Sequence, residues 1–356
     1  MDEKKEVQVK ILKSKEDEKV SDEEFLSVLR LVSPGTNFRS ALDGALKSGK
    51  GALILIENES TNETIEGGFK VNCRFTPQRL IELAKMDGAI TLSKDMKKIL
   101  QANVLLVPNS KISSSETGTR HKAAERTAKQ TKSLVIAISE RRHEITIFYR
   151  NKRYILKATE DILRKANENI QLLEKQRELF DINSERLNSS ELRNYPSLKN
   201  ALKVIQKGRL IEKISEELKK TTIELGNEGA LIKTRLKEIA SGVEKETSLV
   251  IKDYTKIDLK KTRTILECLT YDELIDEENI LKSLAYEGTA INNTIKGWRM
   301  LSKTSLLEQD IAEILKEKKS LGQAINSSVK DIAKLIGEEK AQLFKGEIEK
   351  IKLNVY

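Results

Sequence analysis

Apolar positions in the first 156 residues are spaced partly as in strands and partly as in helices. Residues 52–56 form a continuous apolar run of strand length, which predicts a strand buried on both faces. Ile145, Ile147 and Tyr149 have the period of two of a strand, and the turn at 150–152 predicts a hairpin with 153–156. Further strands are predicted at 89–92, 103–107 and 134–139. Such alternation over about 135 residues is typical of an α/β layer fold.

One helix of this region has its own start signal. Thr76 is suited to cap a helix, and Pro77 would take the first helical position. The apolar residues within 80–84 mark its inner face, and the helix is predicted to end near Met86. Asp87-Gly88 then forms a turn into the strand at 89–92.

From residue 159 onward the apolar spacing is helical. Two stripes, within 162–173 and 205–218, recur at intervals of three and four residues and alternate with charged faces. They predict a helical bundle or spine over 159–297, and they carry no predicted chemistry because such stripes are usually core. Residues 298–356 are predicted to form shorter helices, including a helix, a tight turn at Gly337 and a second helix.

These changes of pattern divide the chain into four parts. Residues 1–20 form a charged tail, 21–158 an α/β domain with a mixed central sheet flanked by helices, 159–297 an all-α spine, and 298–356 a terminal helical module. A length of 356 residues agrees with several domains, because a single core rarely grows beyond about 250–300 residues. The predicted fold class is therefore α+β and multidomain.

Composition favours a soluble, helix-rich protein, since 33% of the residues are charged and only four are proline. Cys73 and Cys268 are isolated, so two reduced thiols are expected and neither a zinc site nor a disulfide framework. No segment approaches the roughly 18 apolar residues that a membrane span needs. The N-terminus lacks the apolar centre of a signal peptide, so we predict a cytoplasmic protein without a membrane partner.

Positive charge is concentrated between Lys94 and Arg153. This segment has fourteen Lys or Arg residues against five acids, an excess that equals the net charge of +9 of the whole chain. A basic patch of this kind fits a nucleic-acid surface or, on a smaller scale, a nucleotide triphosphate site. Charge alone leaves both interpretations open.

The strongest candidate for chemistry is a loop that opens a helix at Gly118-Thr119-Arg120-His121. Gly118 permits unusual backbone geometry, and Thr119 is expected to cap the helix. Arg120 can hold phosphate oxygens with two N–H groups, and His121 can bind a metal ion or a phosphate. The alternative is a capped surface helix with an incidental histidine. Neither G-x-x-x-x-G-K-[ST] nor G-x-G-x-x-G occurs, so a nucleotide site would be of another type.

Two further groups lie at the ends of predicted strands. Asp87 precedes one strand, where a carboxylate could bind a divalent cation that carries phosphates, although an Asp-Gly pair is also a common turn. Ser139, Arg141 and Arg142 follow another strand. They suit a polyphosphate tail and, equally, a solvated basic edge of the sheet.

In their order along the chain, these segments resemble the diadenylate cyclases. The resemblance covers residues from about 25 to 156, and the helical region and total length are similar to family members that end in a helix-hairpin-helix module. The segments that carry it are Gly67-Gly68-Phe69, Lys85 to Ile90, Ala102-Asn103-Val104, Leu106-Val107-Pro108, Glu116 to His121, Ala124-Glu125-Arg126, Ala128 to Thr131 and Val135 to Ser139.

The resemblance implies a homo-oligomer, an octamer, in which two cyclase domains meet face to face with one ATP each. The two ATP molecules would condense into cyclic di-AMP with release of two pyrophosphates. Asp87 and His121 would hold the catalytic Mg²⁺ or Mn²⁺, and Asp87, Arg120 and His121 would be the catalytic residues. The implied ATP-binding residues are Gly88, Leu106, Thr119, Arg120, His121, Lys122, Ala123, Ser139 and Arg142.

The chain departs from the family pattern in two places. Lys122-Ala123 stands where the family has Arg-Thr, which predicts weaker ATP binding because a guanidinium fork and a hydroxyl are lost. The terminal turn reads Ile336-Gly337 and lacks the first glycine of the family's Gly-hydrophobic-Gly. Ile336, Gly337 and Lys340 are the expected DNA contacts, and with a net charge of only +2 over 298–356 the binding should be salt-sensitive.

Two hypotheses of function follow. The first is a diadenylate cyclase coupled to the sensing of branched DNA, and hence to DNA damage and repair. The second is a non-catalytic protein that senses ATP and binds DNA structures or serves as a scaffold. Lys122 and Ala123 favour the second hypothesis, whereas Asp87 and His121 favour the first.

Overall fold

The structure is a computed structural model that describes residues 21–287 and 295–355. These residues form two compact units, one made of 21–165 with 220–231 and the other of the remaining described residues from 166 onward. The predicted charged tail lies outside the described residues. The other predicted domain boundaries stay predictions.

The first unit is built on one mixed sheet of eight strands. They follow in the order β2-β5-β4-β1-β6-β7-β8, and β3 pairs with β5 as well. β1 and β4 are parallel, whereas β1 with β6 and β4 with β5 are antiparallel. The strands are β1 (Ala52–Ile56), β2 (Ile65–Glu66), β3 (Phe69–Arg74), β4 (Ala89–Leu92), β5 (Lys98–Leu106), β6 (Leu134–Ser139), β7 (Glu144–Tyr149) and β8 (Lys152–Leu156).

Helices cover both faces of this sheet, because its strands are apolar on both sides. Ile54 of β1 belongs to a core that includes helices α1 to α3, whereas Leu53 and Leu55 belong to a second core under α4. Ala124 and Ala128 are the α4 residues in that second core, and their small side chains let the helix approach the strands closely. The helices are α1 (Asp22–Leu31), α2 (Asn37–Lys47), α3 (Pro77–Leu83) and α4 (Thr119–Thr131).

The predicted strands at 52–56, 89–92 and 134–139 are confirmed with these bounds, and the predicted hairpin is formed by β7 and β8. Three details differ. β5 begins at Lys98 and not at 103, since its polar first half is paired with β3 and β4. The helix capped by Thr76 ends at Leu83, before Met86. β3 was not predicted, because it is an edge strand in which the apolar residues Phe69, Val71 and Cys73 alternate with exposed polar ones and none is fully buried.

The remaining described residues are helical, as predicted. Most residues of the two predicted stripes are buried, among them Ile162, Ile170, Ile205 and Leu218. Helices α5 and α6 contribute residues to both units. The helices are α5 (Thr159–Leu192), α6 (Leu198–Leu225), α7 (Ala230–Ala240), α8 (Val243–Tyr254), α9 (Leu259–Cys268), α10 (Tyr271–Ile275), α11 (Glu277–Ser283), α12 (Trp298–Leu301), α13 (Glu308–Lys318), α14 (Leu321–Asn326), α15 (Val329–Ile336) and α16 (Glu338–Val355).

A search of residues 21–287 and 295–355 finds no helix with both the length and the apolar character of a membrane span.

Candidate nucleotide site

The sheet topology brings several predicted site residues to one edge. β1 runs parallel to β4 with Leu53 opposite Ala89, so the N-terminal ends of both strands lie at the same edge. β5 and β6 run the other way, and their C-terminal ends therefore lie at that edge too. Leu106 at the end of β5, Ser139 at the end of β6 and the Asp87-Gly88 turn that leads into β4 therefore lie at the same edge of the sheet.

Gly88 determines how the chain enters β4. Its φ of +85° lies in the left-handed region, and a Cβ atom there would lie only 2.8 Å from the carbonyl carbon of Asn103. Both the conformation and the space therefore require glycine. Asp87, directly before it, is exposed, and its carboxylate makes no hydrogen bond or ion pair with the residues that the structure describes. This carboxylate is available to an external ligand.

Helix α4 presents its N-terminus without a side-chain cap. The N-cap residue is Gly118, whose backbone is extended, and Thr119 is already the first helical residue. The prediction that Thr119 caps the helix is therefore wrong, because Thr119 stands one position too late for its hydroxyl to accept the N–H groups of the first turn. No cap side chain accepts a hydrogen bond from the N–H groups of the first turn. Free N–H groups of this kind bind anions at helix N-termini.

His121 is turned into the protein. It is buried, its ring meets that of Phe148 edge to face at 6.3 Å, and its Nε2 has no hydrogen-bond partner among the described residues. Burial lowers the pKa of His121 below its ordinary value, against the opposing charge of Glu116. The imidazole is therefore neutral near pH 7. Its predicted role at the metal ion stays a prediction.

Arg142 is held by two carboxylates. Its guanidinium lies 2.9 Å from Glu144 and 3.5 Å from the buried Glu116, which also accepts a hydrogen bond from Arg153. The backbone N–H of Arg142 donates to Oγ of Ser139 at 3.2 Å. Arg142 and Ser139 are thus brought together as predicted, and Glu116 is a buried organising residue for which the sequence suggested no separate role.

The loop before α4 is fastened to that helix by a second set of contacts. Glu125 accepts hydrogen bonds from Oγ of Ser114 at 2.5 Å and from the backbone N–H of Ser115 at 3.0 Å, and it pairs with Lys129 at 2.7 Å. Burial raises the pKa of the Glu125 carboxyl, but the hydrogen bonds from Lys129 and Ser114 outweigh it and hold the pKa below its usual range. Arg126 donates to the carbonyl of Ile112 at 2.8 Å. The loop is thereby fixed along its length.

These loop contacts involve residues that carried the family resemblance without an assigned role. Glu125 and Lys129 are four residues apart on one helix face, a spacing that indicates an ion pair. That spacing could have predicted the pair, but not the loop that it holds.

The two residues that depart from the family pattern lie on the first turns of α4. Ala123 is half-buried and packs against the core beneath the helix. Lys122 is half-buried, and its ammonium group has no ion-pair partner within residues 21–287 and 295–355. A cation without a protein partner at this position is available to a bound phosphate.

The donor set suits a metal ion that arrives with its nucleotide. No group of three or more His, Cys, Asp or Glu residues placed to hold a metal ion occurs in the described part of the chain. Mg²⁺ is commonly bound by one or two carboxylates together with substrate phosphates and waters. The unpaired Asp87 carboxylate meets that requirement.

The expected DNA contacts lie at the junction of α15 and α16. Gly337 joins these helices with a φ of +90°, which confirms the predicted helix, tight turn and helix. Ile336 is buried, and Nζ of Lys340 pairs with Asp310 at 2.8 Å and 2.9 Å. Lys340 is therefore already engaged with a carboxylate. Its predicted contact with DNA stays a prediction.

Comparison with known proteins gives consistent matches over nearly the whole chain. A family model described as "DisA bacterial checkpoint controller nucleotide-binding" matches residues 39–153, and one described as "DisA bacterial checkpoint controller linker region" matches 156–292. The chain is 38% identical to the DNA integrity scanning protein DisA of Acetivibrio thermocellus, over 94% of this chain and 96% of that protein. It is 39% identical to the protein of the same name from Bacillus subtilis, over 93% of this chain and 94% of that protein.

Proposed function

Because this chain belongs to the family of the DNA integrity scanning protein DisA, as its resemblance to the diadenylate cyclases predicted, we propose that it condenses two ATP into cyclic di-AMP. The observation that carries the proposal is that the sheet topology brings Leu106, the Asp87-Gly88 turn and Ser139 to one edge of the sheet. Uncapped N–H groups of α4 and the free charge of Lys122 lie on the helix that covers this sheet.

The proposed roles of the individual residues are those that the family resemblance implies. Gly88 and Leu106 line the nucleotide, and the N-terminus of α4 with Thr119, Arg120 and Lys122 holds phosphate oxygens. Ser139 and Arg142 face the triphosphate, where its negative charge would compete with Glu116 and Glu144 for the Arg142 guanidinium. His121 keeps its predicted role at the metal ion and the phosphates; its ring is buried against Phe148, and its Nε2 has no hydrogen-bond partner among the described residues.

A divalent cation, Mg²⁺ or Mn²⁺, would be held by Asp87 together with the nucleotide phosphates. When bound, such an ion supplies positive charge that stabilises the negative charge developing on the reacting phosphate. The chain's own contribution is positional. Asp87 orients the attacking 3′-hydroxyl, and the residues at this sheet edge set its distance from the α-phosphate.

The proposal includes a homo-oligomer, an octamer, in which two nucleotide sites face each other. Each ATP then supplies the hydroxyl that attacks the other's α-phosphate, with release of two pyrophosphates. One unit by itself contains a single copy of the sheet edge, so a second copy must supply the other ATP. Positioning of the two reactants accounts for much of the rate in such an arrangement.

The direct test is incubation of the purified protein with ATP and Mn²⁺ or Mg²⁺, followed by mass spectrometry for cyclic di-AMP. Asp87→Asn should lower the rate at least about a thousandfold, because the carboxylate charge is lost at the reacting centre. Asp95→Asn is the matched control. Asp95 lies in the turn beyond the opposite end of β4, where an amide can still accept the N–H of Lys97. An active Asp87→Asn protein would remove Asp87 from the mechanism.

We further propose that synthesis is coupled to branched DNA bound at the α15–Gly337–α16 turn. The alternative function, an ATP-sensing DNA-structure-binding or scaffold protein without catalysis, is supported by one observation: Glu116 and Glu144 occupy the Arg142 guanidinium. Gel-shift measurements with branched and linear DNA at several salt concentrations test the DNA component of both. Equal affinity for both DNA forms at low salt would contradict it.

A further inference from the structure

The sheet edge that carries these site residues contains one glycine with no assigned role. Continuing the antiparallel register of β1 and β6 by one residue sets Gly51 beside Ser139. The Asp87-Gly88 turn leads into β4, the parallel neighbour of β1, at the same edge. Gly51 therefore lies at the entrance of the central strand, on the edge that carries both predicted site residues.

The guanidinium of Arg120 occupies the space above Gly51. A Cβ atom at Gly51 would overlap Nη1 of Arg120 and would lie 3.1 Å from its Cζ. It would also lie 3.2 Å from the carbonyl oxygen of Ile138, a closer approach than most Cβ atoms make. Any side chain at position 51 thus takes the place of the guanidinium.

Backbone conformation does not explain this glycine. Gly51 is buried, and its φ lies outside the left-handed region that favours glycine. Gly49, two residues earlier, is the opposite case, since its φ is +70° and a Cβ there would meet nothing within 4 Å. Gly49 is needed for the backbone conformation of the turn, whereas Gly51 is needed because Arg120 occupies the space of a side chain there.

Arg120 has little else to hold it. It makes no hydrogen bond or ion pair through its side chain with the described residues, and the nearby carboxylate of Glu116 is engaged by Arg142 and Arg153. As the second residue of α4 it also stands at the positive end of the helix dipole, which disfavours a cation there. Without the space at Gly51, the guanidinium would turn toward solvent.

We propose that Gly51 is a positioning residue for ATP, which acts by leaving a slot in which the Arg120 guanidinium lies over the entrance of β1, at the sheet edge that carries Asp87 and Ser139. This inference rests on the proposed function, because it takes Arg120 to bind phosphate. A planar guanidinium held in a slot presents its N–H groups in one orientation, so the entropy of ordering it is not lost when the phosphate binds.

The test is a double-mutant cycle on the affinity for α,β-methylene-ATP with Mg²⁺, measured by calorimetry. Gly51→Ala should weaken binding about tenfold or more, the value of a lost charge-assisted hydrogen bond. In the Arg120→Ala background the same change should have no further effect, because the group that Gly51 positions is already absent. Gly49→Asn is the matched control, since asparagine tolerates the left-handed conformation and the space is open.

Wild-type affinity in Gly51→Ala, or an equal loss in the Arg120→Ala background, would overturn the inference. If Gly51→Ala alone fails to fold, Gly51→Ala/Arg120→Ala should fold, because the clash is with the guanidinium. A double variant that also fails would overturn it. A wild-type protein that binds the analogue but makes no cyclic di-AMP would contradict the proposed function alone.

Discussion

At the scale of single residues, the candidate nucleotide site depends on charged side chains that have no ion-pair partner. Asp87 and Lys122 have no charged partner among the residues that the structure describes, whereas Glu116 joins Arg142 and Arg153. Exposed or half-buried charges without partners contribute little to stability. Their availability suits them to a ligand with charges of its own, as a metal ion with a triphosphate has.

Lys122 is the residue where binding can be improved. Lys122→Arg should lower the KM for ATP by about three- to tenfold with little change in kcat, because a guanidinium can donate two N–H groups to one phosphate. Steady-state rates of cyclic di-AMP formation measure both parameters. Lys122→Ala should raise KM. An unchanged KM in both variants would show that position 122 does not contact the nucleotide.

The buried imidazole of His121 should make stability depend on pH. Its folded-state pKa is lower than the ordinary value of 6.5, so the unfolded chain holds the proton more tightly. The stabilisation is therefore present above about pH 6.5 and lost as the pH falls below it. Urea unfolding followed by circular dichroism at pH 7.5 and 5.5 should show a smaller decrease for His121→Asn than for the wild type.

The second histidine provides the control for that measurement. His143 is exposed in the turn between β6 and β7, so His143→Asn should retain the pH dependence of the wild type. If the pH dependence of stability is lost in His143→Asn but retained in His121→Asn, the buried neutral imidazole of His121 is contradicted.

At the scale of elements, α4 has two functions on two faces. Ala124 and Ala128 pack on the sheet, and Glu125, Arg126 and Lys129 hold the preceding loop. The helix thereby fixes both its own height above the strands and the course of the chain that leads into its N-terminus. Residues at that N-terminus are therefore held in place by the packed helix and by the fixed loop before it.

Removal of the loop contacts should affect stability and activity together. Glu125→Ala removes the buried acceptor of three partly buried hydrogen bonds, from Ser114, Ser115 and Lys129, which should lower the free energy of unfolding by about 2–4 kcal/mol. Limited proteolysis should then cleave after Lys111 in the loosened loop. Glu140 is an exposed acid in the turn between β6 and β7, and Glu140→Ala is the control. It should leave the free energy of unfolding unchanged. A neutral Glu125→Ala would contradict the fastening of the loop.

The sequence correctly predicted the strands whose own residues carry a clear hydrophobic pattern. β1 and β6 were predicted to the residue because each is an uninterrupted apolar run buried on both faces. β3 was missed although Val71 and Cys73 pack against the core, because its short alternation of apolar and polar residues lies on an edge strand that is paired with the distant β5. Gly51 was missed for a related reason: the Arg120 that fills its space is far away in sequence, and no local pattern records the contact.

At the scale of the whole molecule, charge is divided unevenly between the candidate nucleotide site and the terminal helices. The excess of nine positive charges lies within 94–153, whereas 298–356 has eleven Lys or Arg residues against nine acids. DNA binding by the terminal helices would thus rest on a few exposed lysines. Its affinity should fall steeply with salt, since it arises from counterion release.

Two lysines near the terminal turn should behave differently. Lys340 is paired with Asp310, which competes with DNA phosphates for its ammonium group, so Lys340→Ala should cost about 1 kcal/mol or less of stability and weaken DNA binding less than Lys334→Ala. Lys334 is exposed on α15, and Lys334→Ala should weaken DNA binding and reduce the salt slope by about 1. Fluorescence anisotropy with a branched DNA between low and physiological salt measures both. The reverse ranking would place the DNA surface elsewhere.

In the proposed reaction, two copies of the sheet edge that carries Asp87 bring two ATP molecules together. The most direct measurement is the stoichiometry of the products from purified protein, ATP and Mn²⁺, with cyclic di-AMP and pyrophosphate quantified in the same reaction. We expect two pyrophosphates for each cyclic di-AMP, and neither product from Asp87→Asn protein of the same oligomeric size. A folded, oligomeric wild-type protein that binds ATP and releases neither product would contradict it.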